Sequence, residues 1–160
     1  MSGAADCTLK AWALTSSLQC IRQMHSAGAV STVSTQPEPA GGYLLASAGS
    51  NTGAIALWDL RQASCATLLA DNASGVAAIA LSGNLLFSAG GTGTVGNHVR
   101  VWDVRMGKVA TQLRGHVGRV FSIAVVDGST VVSGDGAGKV RLWQLRDRAA
   151  DDSAMHYSGG

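Results

Sequence analysis

The chain has 160 residues, of which 46% are hydrophobic, and its formal net charge is +2 at pH 7. This hydrophobic content excludes a disordered chain, and no apolar run approaches the ~20 residues that a membrane-spanning helix needs. The net charge is small and the arginines are spread from Arg22 to Arg148, so the charge does not indicate a nucleic-acid partner.

The first element in chain order is a strand-like run that ends at a tryptophan, and the chain repeats this arrangement three more times. The four runs are 8–11 before Trp12, 54–57 before Trp58, 99–101 before Trp102 and 140–142 before Trp143. The spacings between these tryptophans are 46, 44 and 41 residues. A period of about 40 residues is typical of a β-propeller.

The segments between the tryptophans also match one another. Alternating half-buried strands are predicted over 65–69 and 109–113, directly after the second and third tryptophans. Val30, Val76 and Val120 each lie 18 residues after a tryptophan and begin a further strand. The 21 glycines against two prolines favour tight turns between these strands. Each copy is therefore predicted to be a four-stranded antiparallel meander.

The order of the strands predicts an all-β fold with two complete blades flanked by two incomplete ones, over 1–146. Residues 147–160 are expected to form a flexible polar tail. The first blade is predicted to lack an inner strand and the last an outer strand. We expect the chain to be a fragment of a larger propeller, with self-association of two half-propellers as the alternative.

These residues resemble the WD-repeat family, whose repeats run from a Gly-His pair, here Gly115-His116, to a Trp-Asp pair. The resemblance implies a buried hydrogen-bonded set of His, Ser or Thr, Asp and Trp in each blade. The structural residues that it implies are Ser2, Asp6, Trp12, Ser47, Trp58, Ser88, Trp102, His116, Ser133 and Trp143.

The chain departs from this pattern at the acid, which the family places six residues before the tryptophan. Those positions hold Asp6, Thr52, Gly96 and Ala137. His116 therefore lacks the expected acid in its own copy. An unpaired buried imidazole N–H costs roughly 1–3 kcal/mol, so Ser133 or Asp135 is expected to accept its hydrogen bond instead.

The resemblance also implies a protein-interaction scaffold that assembles a multiprotein complex, with other proteins as its partners. The family pattern places Arg119 and Phe121 on the partner-binding surface around the central channel. An alternative interpretation comes from Asp59 with Arg61 and from Asp103 with Arg105, each pair following a tryptophan. This W-D-x-R pattern resembles the motif by which substrate receptors dock on the damaged-DNA-binding adaptor of cullin ubiquitin ligases, where the arginine contacts the adaptor.

A second alternative is an RNA-associated assembly factor. Its basic residues would be Lys139, Arg141, Arg146 and Arg148, which lie near one another in sequence.

Chemistry is not predicted. No spacing among the four histidines indicates a nucleophile or a metal site, so no catalytic residue, metal or cofactor is expected and the protein is predicted not to be an enzyme. The G-x-G-x-x-G pattern at 91–96 precedes a predicted strand and not a helix, which argues against dinucleotide binding. Cys7, Cys20 and Cys65 are expected to be buried free thiols. An intracellular location is predicted.

Overall fold

The computed structural model describes residues 1–14, 18–37, 43–49, 53–62, 64–70, 75–90 and 97–145. All fourteen elements in this part of the chain are β-strands. None of the described residues forms a helix long and apolar enough to cross a membrane. The predicted tail at 147–160 and the 91–96 pattern lie outside the described residues, as do Thr52 and Gly96.

The strands form four antiparallel sheets, and each sheet follows the chain order from its first strand to its last. The first sheet contains β1 (Ser2–Gly3), β2 (Thr8–Leu14) and β3 (Leu18–His25). The second contains β4 (Thr32–Pro37), β5 (Tyr43–Ala48), β6 (Ile55–Asp59) and β7 (Ser64–Leu69). The third contains β8 (Val76–Ser82), β9 (Leu85–Gly90), β10 (Val99–Asp103) and β11 (Lys108–Leu113). The fourth contains β12 (Val120–Val125), β13 (Thr130–Asp135) and β14 (Val140–Gln144).

The innermost strands of the last three sheets contact one another, β4 against β8 and β8 against β12. The sheets are therefore arranged as successive blades around a common centre. Two blades have four strands and the two flanking blades have three. The predicted fold class, a partial propeller with two complete and two incomplete blades, is confirmed.

Burial explains why these segments form strands of different composition. The middle strand β6 is buried along almost its whole length because both of its faces pack against neighbouring blades. Such strands have near-continuous apolar sequences. The outer strand β7 is exposed over most of its residues, although it is hydrogen-bonded to β6 along its length. The position of a strand within its blade thus decides how many of its residues are buried.

A hydrophobic core fills the space between each pair of adjacent blades. The core between the first and second blades includes Leu9, Met24, Val30, Leu45 and Trp58. The core between the second and third includes Ile55, Leu57, Val76, Leu86 and Trp102. The core between the third and fourth includes Val99, Val101, Val120, Val131 and Trp143. Trp58, Trp102 and Trp143 therefore each pack against the blade that precedes their own.

The ladder shifts register beside the tryptophan in the first three blades. The shift falls between Ala11 and Trp12, between Leu57 and Trp58, and between Val101 and Trp102. In each case the outer strand supplies an extra residue, which makes a β-bulge. The same irregularity at the same place shows that these tryptophans occupy equivalent positions.

The expectation of buried cysteines was wrong for two of the three. Cys20 and Cys65 are exposed because they lie on the outer strands β3 and β7. Among the described strands, each of these outer strands pairs with a single neighbour. Cys7 is half-buried in the turn before β2, with a left-handed φ of 64°. All three thiols are free.

We predict that the free energy of unfolding depends on the packing between blades far more than on the outer strands. Leu57→Ala removes a buried side chain between the second and third blades, and comparable substitutions cost about 2–5 kcal/mol. Leu68→Ala in β7 is the matched control, because Leu68 is exposed in the same sheet. Chemical denaturation of both variants measures the difference. Equal losses of stability would contradict this packing.

Candidate partner-binding surface

A buried hydrogen-bonded network lies beneath the candidate surface in the last blade. Trp143 Nε1 donates to Ser133 Oγ at 2.7 Å. The same hydroxyl lies 2.6 Å from His116 Nε2, and His116 Nδ1 lies 2.8 Å from Asp135 Oδ2. Both side chains of the His116–Asp135 pair are fully buried.

The donors and acceptors of this network match when the imidazole is neutral. The Asp135 carboxylate can only accept, so His116 carries its proton on Nδ1. Ser133 accepts from the indole and has its own hydrogen free to donate to His116 Nε2. A single chain of hydrogen bonds therefore runs from Trp143 to Asp135, and every buried polar atom along it has a partner.

Asp135 replaces the acid that is missing six residues before Trp143. Its second oxygen, Oδ1, accepts from the backbone N–H of Lys139 at 2.9 Å and of Ala137 at 3.0 Å. The backbone N–H of Lys139, then the His116 side chain and the backbone N–H of Ala137, stabilise the carboxylate and lower its pKa from 3.8 to about 2. Ala137 occupies the usual acid position, and here its backbone donates to the substitute acid.

The other blades retain the bond between tryptophan and serine. The donor–acceptor distances are 2.9 Å for Trp12 to Ser2, 2.9 Å for Trp58 to Ser47 and 2.8 Å for Trp102 to Ser88. Asp6 has a different role from Asp135. Its Oδ1 accepts from the backbone and the hydroxyl of Thr8, at 3.0 and 2.7 Å, in the turn that leads into β2.

The exposed Phe121 and the half-buried Arg119 lie beside the turn that follows Asp135. The Phe121 side chain is 57% exposed, and the Arg119 guanidinium carbon lies 5.3 Å from the centre of its ring. Gly136 also lies against the ring, since a Cβ atom at this residue would come within 2.9 Å of it. The backbone N–H of Gly136 also donates to the Arg119 carbonyl at 2.9 Å. The turn that Asp135 organises therefore holds the aromatic ring in place.

A β-bulge explains why Phe121 points out of the blade. Val120 pairs with Asp135 and Ser122 pairs with Gly134, so Phe121 is an extra residue without a partner in β13. A bulge redirects the side chain that it contains. Sequence reasoning selected Phe121 from the family pattern but missed the bulge that exposes it.

The equivalent positions in the earlier blades carry smaller side chains. Ala77 occupies the matching bulge in β8 and is half-buried. Ser31 directs its hydroxyl to the carbonyls of Ala48 and Val76, at 3.2 Å each. The large exposed side chain of this set is therefore on the last blade.

The two W-D-x-R segments form similar turns but differ at the arginine. Asp59 Oδ1 accepts from the backbone of Arg61 at 2.8 Å, and the Arg61 guanidinium lies 3.4 Å from the same carboxylate. Asp103 Oδ1 accepts from the backbone of Arg105 at 2.9 Å. Among the described residues, the Arg105 side chain has no ion pair. Asp59 and Asp103 thus stabilise the turns in which they lie.

The basic residues of the RNA alternative are only partly within the described chain. Lys139 is exposed, whereas the Arg141 guanidinium carbon lies 6.0 Å from the centre of a Trp143 ring and packs against Gly115. Arg146 and Arg148 lie outside the described residues. RNA binding stays a prediction. Within the described ranges, no group of three His, Cys, Asp or Glu side chains could hold a metal ion.

The family model that matches this chain and two of its relatives all belong to the WD-repeat family. The family model for the WD domain, G-beta repeat, matches residues 107–144. The chain is 30% identical over 116 residues to the F-box/WD repeat-containing protein sel-10 of Caenorhabditis elegans, covering 70% of this chain and 19% of that protein. It is 26% identical over 111 residues to the DENN domain and WD repeat-containing protein SCD1 of Arabidopsis thaliana, covering 69% of this chain and 9% of that protein.

Solved structures show the same fold. The crystal structure of RRP9 WD40 repeats superimposes with a TM-score of 0.75 at 20% identity, covering 89% of this chain and 43% of that chain. The chain therefore spans less than half of the structure that it matches and less than a fifth of each of the two protein relatives above.

We predict that Ser133→Ala destabilises the protein more than Ser47→Ala. Loss of Ser133 leaves both the indole of Trp143 and the ring of His116 without their partner, whereas loss of Ser47 affects Trp58. Each buried group left unpaired costs about 1–3 kcal/mol, so the two variants should differ by one such contribution. Urea unfolding of both variants tests this, and equal destabilisation would contradict the extended network.

We also predict a loss of stability in acid that depends on Asp135. Because folding lowers the Asp135 pKa from 3.8 to about 2, its contribution is fully present above about pH 4 and disappears as the pH falls toward 2. The thermal unfolding temperature of Asp135→Asn should therefore be lower at pH 7 and should fall less steeply between pH 4 and 2. Parallel pH profiles for the two proteins would argue against this coupling.

Proposed function

Because this chain is a partial WD-repeat β-propeller, we propose that it is a scaffold that binds other proteins through the exposed ring of Phe121 and the neighbouring Arg119. Scaffolding of protein complexes is the function that the repeat family supports. In this chain the proposed binding surface, formed by Phe121 and Arg119, lies on the last blade. No catalytic role is part of the proposal.

The observation that carries the proposal is an exposed aromatic ring on a rigid support. Residues that dominate binding energy are enriched in aromatic side chains and arginine. Phe121 combines high exposure with contacts to Arg119 and Gly136 that hold the ring. A side chain that is already ordered loses little conformational entropy on binding, where ordering would otherwise cost about 0.5–1.5 kcal/mol.

A second candidate is a substrate receptor of a cullin-type ubiquitin ligase. The observation that favours it is the difference between the two W-D-x-R turns, since Arg105 has a side chain without an ion pair in the described chain while Arg61 is held by Asp59. One relative is an F-box/WD repeat-containing protein. If this chain docks on the adaptor, Arg105 is the better placed arginine.

We predict that Phe121→Ala weakens protein capture about tenfold or more, as expected for a residue that dominates an interface, while the thermal unfolding temperature stays unchanged. Phe87→Ala is the matched control, because Phe87 is buried between the third and fourth blades and its loss should cost about 3–5 kcal/mol of stability. Quantitative mass spectrometry of proteins captured by each variant, with thermal unfolding, measures both effects. If the two variants lose the same stability, Phe121 belongs to the core.

The receptor hypothesis is tested by capture of the damaged-DNA-binding adaptor from cells. Arg105→Ala should abolish recovery, and Arg61→Ala should reduce it less because the Arg61 side chain is partly held by Asp59. Arg114→Ala, at another exposed arginine, is the control. Unchanged recovery with Arg105→Ala would eliminate docking through this motif.

A further inference from the structure

The outer strand of the second blade is an exposed sheet edge without a charged residue. The second blade has all four of its strands, and β7 pairs with β6 and with no other described strand. Five of the six residues of β7 are exposed, among them Cys65 and Leu68, whose exposed fraction is 58%. The strand from Ser64 to Leu69 contains no Asp, Glu, Lys, Arg or Pro. Such a strand offers unpaired backbone N–H and C=O groups to another chain.

The other two described outer strands carry the charges with which natural proteins protect sheet edges. β11 begins at Lys108, and Arg114 directly follows its last residue. β3 contains Arg22 near its middle. A charged side chain on an edge discourages pairing with a further strand, because its charge would have to leave water. Ser64 takes the place of Lys108 in β7, since each pairs with the aspartate that follows a tryptophan.

Two arginines lie at the Ser64 end of this edge. The Arg61 side chain is 56% exposed and lies 3.4 Å from the carboxylate of Asp59, the residue that pairs with Ser64. The Arg22 guanidinium reaches across from the first blade and donates to the Arg61 carbonyl at 3.2 Å. Asp59 offsets one of these two positive charges. The edge is therefore uncharged along its length and positive at one end.

We propose that β7 binds an extended segment of another protein, which adds to the second blade as a further strand. The strand pairs of the described chain are antiparallel, and antiparallel pairing is slightly the more stable arrangement. An antiparallel segment has its C-terminal end beside Ser64. The bound segment is therefore uncharged along its length and acidic at its C-terminal end. Main-chain hydrogen bonds supply affinity, and contacts with Cys65 and Leu68 supply specificity.

This edge is separate from Phe121, so the inference does not depend on the proposed function. Phe121 lies on the inner strand β12 of the last blade, whereas β7 is the outer strand of the second blade. A result at one surface therefore leaves the interpretation of the other unchanged.

Hydrogen exchange of the full chain with a synthetic peptide tests the inference. The probe is a peptide of alternating threonine and valine that ends in glutamates, and it should slow backbone exchange in β7 but not in β11. Leu68→Lys should weaken binding about tenfold or more, because it adds the kind of charge that the other edges carry. Ala110→Lys is the matched control, at an exposed position of β11. No protection of β7, or equal protection of β11, would overturn the inference.

Two variations of the peptide test its orientation and charge. A peptide with the glutamates at its N-terminal end, or with lysines in their place, should bind the wild type about threefold or more weakly, because it loses the charge complementarity with Arg61 and Arg22. Arg61→Ala should reduce this difference. Equal binding of all three peptides to the wild type would overturn the antiparallel arrangement with an acidic C-terminal end.

The same exchange measurement identifies a competing occupant of the edge. Protection of β7 that rises with protein concentration in the absence of peptide would mean that a second copy of the chain occupies β7, and it would overturn the inference. Thermal unfolding of Leu68→Lys, Ala110→Lys and Arg61→Ala checks that each variant is folded, since all three positions are exposed and should tolerate the change.

Discussion

The hydrogen bond from an indole nitrogen to a serine hydroxyl is the interaction on which each blade depends. A buried indole has one donor and no acceptor, so its ring can enter an apolar core only where an oxygen meets that nitrogen. Ser2, Ser47, Ser88 and Ser133 supply this oxygen from the neighbouring strand. The bond fixes the ring orientation, and in the last three blades the ring packs against the preceding blade. In each blade, one hydrogen bond thus connects the pairing of two strands to the position of the tryptophan ring.

Much of the fold could be predicted from sequence because β-strands place alternate residues on opposite faces and the tryptophans recur at a steady spacing. Alternation alone does not reveal what covers a strand. Cys20 and Cys65 have strand-like neighbours, yet they are exposed because they lie on outer strands. Burial depends on the position of a strand in its blade, and that is a property of the assembled sheets.

The candidate surface was predictable in part. Family pattern selected Arg119 and Phe121, and the proximity of Ser133 and Asp135 to the histidine in sequence suggested its partners. The bulge at Phe121 could not be inferred, because it depends on β12 placing one extra residue between the two that pair with Asp135 and Gly134 of β13. The role of Asp135 as a turn organiser also required the structure, since its second oxygen binds backbone groups that no side-chain pattern reveals.

The bulge at Phe121 separates one exposed residue of β12 from the residues of the same strand that pair with β13. Residues on either side of it keep their ladder partners, so the alternation that fills the core is undisturbed by whatever side chain occupies the extra position. The same place in β8 holds Ala77, with the surrounding register maintained. The side chain at this site can therefore change by single replacements over evolutionary time while the architecture around it stays constant.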